Sequence, residues 1–400
     1  MISKKVLSLA MTAALALGAM SGCSATSSSD GKDSGSDGKQ VIKIATQSPL
    51  SGGSATLGEA IKLGAQLAIE EQKDKFADMG FELQLDAKDD QGDPKKGVAN
   101  AQLIGADQSV LGVVGHLNSG VSIPASEVYE KYNIISISPA STATDFTDRS
   151  LKSVSRVVAR DDFQGPAGAQ YAINTLKAKK VFVIQDKTAY GSGLADAFKA
   201  EAEKLGAEIV GYEGITVGEK DFNGVLNQVS SKKPDLIYFG GLYAEGGLLV
   251  KQARDKGIDV PFMGGDGLDS STFVEIAGDA VKNSYLTSVA GDVTKTEEGK
   301  KFAEDYKAKF NKNIESYSAY AYDSAGVLLA GIEQAIKDND GKLPTRESVM
   351  KAVRATKDYK GVATEVGFDE KGDNTYAKIF IYKFDEAKYP ATLDGEIEKE

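Results

Sequence analysis

The stretch VLGVVGHLNSGVSIPASEVYEKYNIISISPAST, residues 110–142, reads as strand, turn, helix, strand and second turn. Residues 110–115 form a short apolar run without polar alternation, as a parallel strand covered on both faces requires. Residues 134–137 repeat it. Between them Val121, Ala125, Val128 and Tyr132 recur at spacings of four, three and four, which makes one side of a helix able to pack on a sheet. The unit is βαβ, and in open parallel sheets ligands bind beyond the carboxyl ends of the strands. Those ends carry Asn118, Ser119 and Gly120 in one turn and Ala140, Ser141 and Thr142 in the other. Ser119 stands where the helix begins, so its hydroxyl and the N–H groups behind it suit an anion site or, equally, an ordinary cap.

Working outward, the same rhythm extends in both directions. Residues 41–45 read as a strand, residues 47–54 as a polar, glycine-rich turn, and Leu57, Ile61, Ala65, Ala68 and Ile69 keep helical spacing. Phe81, Leu83 and Leu85 alternate as a strand before the polar turn 88–94. Downstream, strands are expected at 181–184, 209–212, 236–239 and 262–263, with helices at 161–176, 194–205 and 245–256 between and around them. Residues 364–368 and 377–384 read as a strand pair. The expected fold class is α/β, two doubly wound βα lobes with a ligand cleft between them.

Four hundred residues with 41% hydrophobic side chains support two folded lobes rather than one. The first 22 residues are set apart: two lysines, an apolar run over 6–20 and small residues at 21–22, the pattern of a secretory leader. Cys23, the sole cysteine of the sequence, follows immediately and cannot form an internal disulfide. Residues 24–40 are mostly Ser, Gly, Asp and Lys, a composition suited to a flexible tether. The net charge of −11 argues against nucleic acid or an anionic membrane surface as the partner of the folded part.

The inventory of reactive groups is thin. His116 is the single histidine, no G-x-S-x-G elbow occurs, and at the end of a buried strand a structural role is favoured over that of a base. No zinc-ligand set, no calcium loop and no nucleotide-binding glycine motif is present, so neither an enzyme nor a cofactor is expected. Hydroxyls, turns, aromatics and one carboxylate at strand ends remain. Ser119 can take a carboxylate, and Asp266, in FMGGDG, can pair with an ammonium group or be an ordinary turn aspartate. Such a set suits a small zwitterion.

VVGHLNS, PASEVYE, SPASTAT, QGP, DKTAYGSGLA, GITVGEKDF, YFGG and FMGGDG resemble the leucine/isoleucine/valine-binding proteins of ABC importers, in the same order over residues 41–384. The resemblance implies the type I periplasmic-binding-protein fold, with lobe 1 at 41–160 plus 290–365 and lobe 2 at 161–289 plus 366–388, joined by three crossings. It implies that Ser119 binds the α-carboxylate of an amino acid. Thr142 and the Ala140 carbonyl would touch its polar end, with Ser141 and Asn118 beside them. Tyr190 would close from the second lobe, Asp266 take the ammonium, and Tyr317, Leu57 and Leu242 line the side-chain pocket. MSGC at 20–23 is similar to a lipobox, which implies a lipid on Cys23, a tether over 23–40, an extracytoplasmic location and an ABC permease as partner of a monomeric chain.

The sequence departs from the family in several places. Met20 replaces the usual lipobox leucine, Asp266 the usual glutamate, and Leu57 and Leu242 stand where tyrosines are common. The family's disulfide in lobe 1 is absent, with Asn118 at one of its cysteine positions. The matched positions hold no charged residue besides Asp266, so an aliphatic ligand side chain is expected and a charged one is not. A ligand-sensing domain for a signalling partner is the alternative, since the same fold serves both; an extracellular hydrolase would have only His116 to use.

Overall fold

The computed structural model describes residues 39–398; the expected leader, Cys23 and the tether up to residue 38 lie outside the described residues. The first sheet contains β1 (Gln40–Ser48), β2 (Phe81–Asp89), β3 (Val110–Gly115), β4 (Ile135–Ser138) and β5 (Val154–Arg156). All its neighbours are parallel, in the order β2-β1-β3-β4-β5. The second sheet contains β6 (Lys180–Gln185), β7 (Glu208–Gly214), β8 (Leu236–Gly240), β9 (Phe262–Gly264) and β10 (Ser284–Ser288). These five are also parallel, and their order, β7-β6-β8-β9-β10, repeats that of the first sheet. Strand order reverses between β1 and β3 and again between β6 and β8, which leaves a crevice at the carboxyl ends in each half.

The decisive stretch folds much as its pattern predicts. Every residue of β3 is buried, because helices cover both faces of the sheet. Gly112 in its middle allows one of them, Ser318–Asp338, to come close: a Cβ there would lie 2.5 Å from Leu328. The helix Ser119–Lys131 buries Val121, Ala125, Val128 and Tyr129. Tyr132, expected on that face, stands at the C-cap and is 38% exposed, with its ring over Gly105, where a Cβ would lie 2.3 Å from it.

Two further differences concern the C-terminal part. Residues 365–366 (β12, Glu365–Val366) pair with β11 (Tyr359–Lys360), not with 377–384. β13 (Lys378–Phe384) instead joins the second sheet, antiparallel to β10, and β14 (Thr392–Glu398) pairs on its far side. A free edge of β10 gives β13 a longer ladder than the two residues of β12 offer, and the second sheet thereby continues past residue 388.

Chain passes from one sheet to the other three times, after β5, after β10 and after β12. The first and third passages are tied together. Arg156 N donates to Gly372 O at 2.9 Å, Asn374 Nδ2 to Val157 O at 2.9 Å, and the fully buried Arg156 guanidinium to Asp373 Oδ1 at 2.7 Å, Thr147 Oγ1 at 2.6 Å and Ser141 O at 2.8 Å.

Candidate ligand-binding site

In the first half, the turns after β3 and β4 are locked to each other. Ser138 Oγ accepts from Ser141 N at 2.8 Å and donates to His116 O at 2.8 Å, while Ser141 Oγ meets Ser122 Oγ at 2.5 Å. Ser141 is thus spent on holding the turns. His116 is equally committed: it is buried, with Nδ1 2.9 Å from Asp90 Oδ2 and Nε2 3.0 Å from Gln47 Nε2. A histidine enclosed by partners on both nitrogens has no face for a substrate.

The helix after β3 begins at Ser119 with Asn118 as its N-cap. Val121 N and Ser122 N bond Asn118 O, so the N–H groups of Ser119 and Gly120 precede the helix's own ladder and point out of its end. Ser119 Oγ lies beside them and accepts from Ala143 N at 3.3 Å. Two N–H groups, a hydroxyl and the positive end of the helix dipole together favour an anion.

In the second half, Asp266 follows β9 and is buried. Tyr190 Oη and Gln164 Nε2 donate to its Oδ1 at 2.7 and 2.9 Å, and Tyr317 Oη donates to its Oδ2 at 2.5 Å. Burial pushes the carboxyl above the ordinary aspartate value, and these three donors oppose that push by stabilising the charged form. Gly265 makes the packing possible, since a Cβ there would lie 2.7 Å from Tyr190 Oη.

Asp266 and the Ser119 helix end face one cavity of about 430 Å³. Of the residues selected from sequence, Leu57, Asn118, Ser119, Ala140, Tyr190, Leu242, Asp266 and Tyr317 line it; Ser141 and Thr142 lie behind the wall. Leu117 and Pro94 extend the aliphatic part. Lys187 also lines it, against the expectation of no second charge, but its ammonium turns to Thr216 Oγ1 at 3.4 Å. A larger cavity of about 540 Å³ lies along the passages, by Val157, Val289 and Ala377, and none of its charged lining residues is buried.

Some of the buried polar atoms without partners lie beside Asp266 or in the cavity wall, and others lie in the sheets away from it. Thr142 Oγ1 lies against the Asp161 carboxylate, and neither it nor either Asp161 oxygen has a well-formed hydrogen bond; Gln164 Oε1 and Asn118 Oδ1 are likewise buried and unpaired. Burial, and then repulsion from Asp266, push the Asp161 carboxyl well above its ordinary value. Each unsatisfied buried group costs about 1–3 kcal/mol in the protein alone. Sequence reading missed Asp161 and Gln164. An aspartate opening a helix looks like a first-turn charge, and only the QGP motif drew attention to Gln164. Among the described residues no group of three or more His, Cys, Asp or Glu is assembled for a metal, and no helix is long and apolar enough to cross a membrane.

The sequence model of the periplasmic binding protein family matches residues 41–389. The Leu/Ile/Val-binding protein BraC3 of Rhizobium johnstonii is 37% identical over 350 residues, 88% of this chain and 93% of that protein. Among solved structures, a leucine binding protein LivK from Thermotoga maritima is 30% identical with a TM-score of 0.81, covering 89% of this chain and 98% of the other. LivJ from Streptococcus pneumoniae, in complex with isoleucine, is 28% identical with a TM-score of 0.80, covering 90% and 99%.

Proposed function

The chain belongs to the periplasmic binding protein family, with the type I fold, and from that premise we propose that it is the extracytoplasmic solute-binding component of an ABC importer, closing two lobes on an amino acid with an apolar side chain. The observation that carries this reading is the pairing, across one cavity, of Asp266 with the open N-terminus of the helix at Ser119. An α-amino acid has its ammonium and carboxylate a few ångströms apart, and each end would find the opposite charge. Thr142 and the Ala140 carbonyl complete the polar end from behind, and Tyr190 and Tyr317 hold Asp266 in place. Leu57, Leu117, Pro94 and Leu242 offer an aliphatic enclosure, which suits leucine, isoleucine or valine, the ligands for which the relatives are named.

A thermal-shift screen against the twenty amino acids tests this. A ligand at a hundred times its dissociation constant adds roughly 2.7 kcal/mol to the stability of the bound fold. Leucine, isoleucine and valine are expected to raise the melting temperature. Strong shifts with glutamate, arginine or a sugar, and none with any aliphatic amino acid, would reject the assignment. The same proposal anchors the mature chain by a lipid on Cys23, with a permease as its partner. Cys23→Ala is expected to release it from membranes or leave it unprocessed, and a processed variant that stays membrane-bound would end that part of the reading.

A further inference from the structure

The bond between Tyr317 and Asp266 is one of several that join the two halves along one rim of the cavity. Ser316 Oγ donates to Asp269 O at 2.8 Å. One carboxylate oxygen of Glu315 accepts from Ser271 N at 3.0 Å and the other from Ser271 Oγ at 2.5 Å. Thr56 Oγ1 lies 2.8 Å from Thr272 Oγ1, and Thr56 N donates to Tyr243 Oη at 3.2 Å. Thr56 lies in the first turn of the helix Ala55–Asp78, and residues 315–317 lead into Ser318–Asp338; both helices pack on the first sheet and on each other. Residues 269–272 follow β9 and Tyr243 follows β8, so they belong to the second half. Glu315 is fixed in its place, since its N–H donates to Ser318 Oγ at 3.0 Å and its carbonyl accepts from Ser318 N at 3.0 Å.

These residues neighbour the wall in sequence: Thr56 precedes Leu57, Ser316 precedes Tyr317, and Tyr243 follows Leu242. Yet Thr56, Thr272, Ser271 and Glu315 do not line the cavity, so contact with a ligand is not how they act on it. Hydrogen bonds of this length are lost once the halves part by an ångström or so. When only the closed form grips, apparent affinity scales with the fraction of chains that are closed. We propose that Glu315 and Thr56 are positioning residues, which set the affinity of the site by holding the halves together over whichever amino acid lies between them. The proposal rests on the solute-binding reading and adds to it the residues that decide how tightly, rather than which, amino acid is held.

Isothermal titration calorimetry with L-leucine and L-valine tests this in T56V, T272V and the double variant, with T56S as the control that keeps the hydroxyl. The two threonines sit in different halves, so they couple in binding only if their contact forms as the halves close. Each single variant is expected to weaken both amino acids by one common factor of about two to ten, as the loss of one net hydrogen bond gives. The double variant should lose no more than either single one, and T56S should bind like the unaltered chain. E315A, which removes a charged acceptor of two bonds, should weaken both by roughly tenfold or more. Unchanged affinities, a shifted leucine-to-valine ratio, or losses that multiply in the double variant overturn the proposal and leave the amino-acid reading standing. If neither amino acid binds the unaltered chain, that reading falls, and small-angle X-ray scattering of the ligand-free chain decides the proposal alone. The radius of gyration should then rise in E315A, and an equal value overturns it.

Discussion

The hydroxyl of Tyr317 donates to Asp266 Oδ2 at 2.5 Å, joining a residue that caps a helix of the first half to a strand end of the second. Tyr190 Oη reaches the other oxygen at 2.7 Å from within the second half. The carboxylate that faces the cavity is therefore held from both sides of it, and its charge depends on donors that do not themselves carry one.

Asp266→Ala removes the partner proposed for the ligand's ammonium. Affinity for the best amino acid is expected to fall by about 2–5 kcal/mol, the range for truncating one side of a buried charge pair. Calorimetry showing unchanged affinity would remove Asp266 from the site.

Tyr317→Phe deletes one of the three donors while keeping the ring. Burial already raises the Asp266 pKa, and losing a bond that favours the charged form raises it further. Because an ammonium needs the charged carboxylate, binding should weaken on acidification. In the variant, that weakening should begin at a higher pH. Dissociation constants measured from pH 8 to pH 4 give both profiles, and superimposable curves would count against the coupling.

Buried carboxyl groups elsewhere give stability an unusual pH dependence. Burial, with repulsion from Glu315 and Asp266, pushes Asp269 up to about 7, and burial raises Asp186 to about 6. Both exceed an unfolded value of about 3.9, so between that pH and 6–7 the folded chain binds more protons than the unfolded one, and stability falls as pH rises through this window. Asp107 beside Lys43 and Asp148 beside Arg160 are lowered to about 2, so they contribute above the unfolded value and lose that contribution as pH falls toward 2. Calorimetric melting temperatures should therefore rise from pH 8 to about 5 and drop below about 4. A flat or monotonic profile would contradict this balance.

Arg156→Met leaves Asp373 buried beside a gap in its network. Breaking a buried pair by removing one partner costs about 3–5 kcal/mol, and denaturant unfolding is expected to show a loss of that order. A loss under about 1 kcal/mol would mean that Arg160, 3.0 Å from Asp373 Oδ2, takes over the role.

The sequence made the frame legible because parallel strands buried on both faces leave unbroken apolar runs. Residues 110–115 were read as a strand with the bounds that β3 has. Partnerships between distant segments left no comparable trace. The pairing of 378–384 with β10 depends on an open sheet edge, which local alternation does not reveal. At the site, strand-end residues such as Asp266 and Ser119 stood out as polar breaks after apolar runs. Ser141 and Thr142 stood out for the same reason yet do not line the cavity. Asp161 and Gln164 sit on a helix whose polar residues look solvent-facing until the second sheet is packed against it.

The three passages of chain between the halves restrict how one can move against the other. A single linker would permit bending, twisting and sliding alike, whereas three strands of backbone side by side, two of them pinned through Arg156 and Asn374, bend easily about one line and resist the other motions. The halves would then behave like the covers of a bound book, with the passages as its spine. The Ser119 helix end and Asp266 would approach along a single arc, always in the same register, so a pair of dyes placed one on each cover would follow the whole motion as one changing distance.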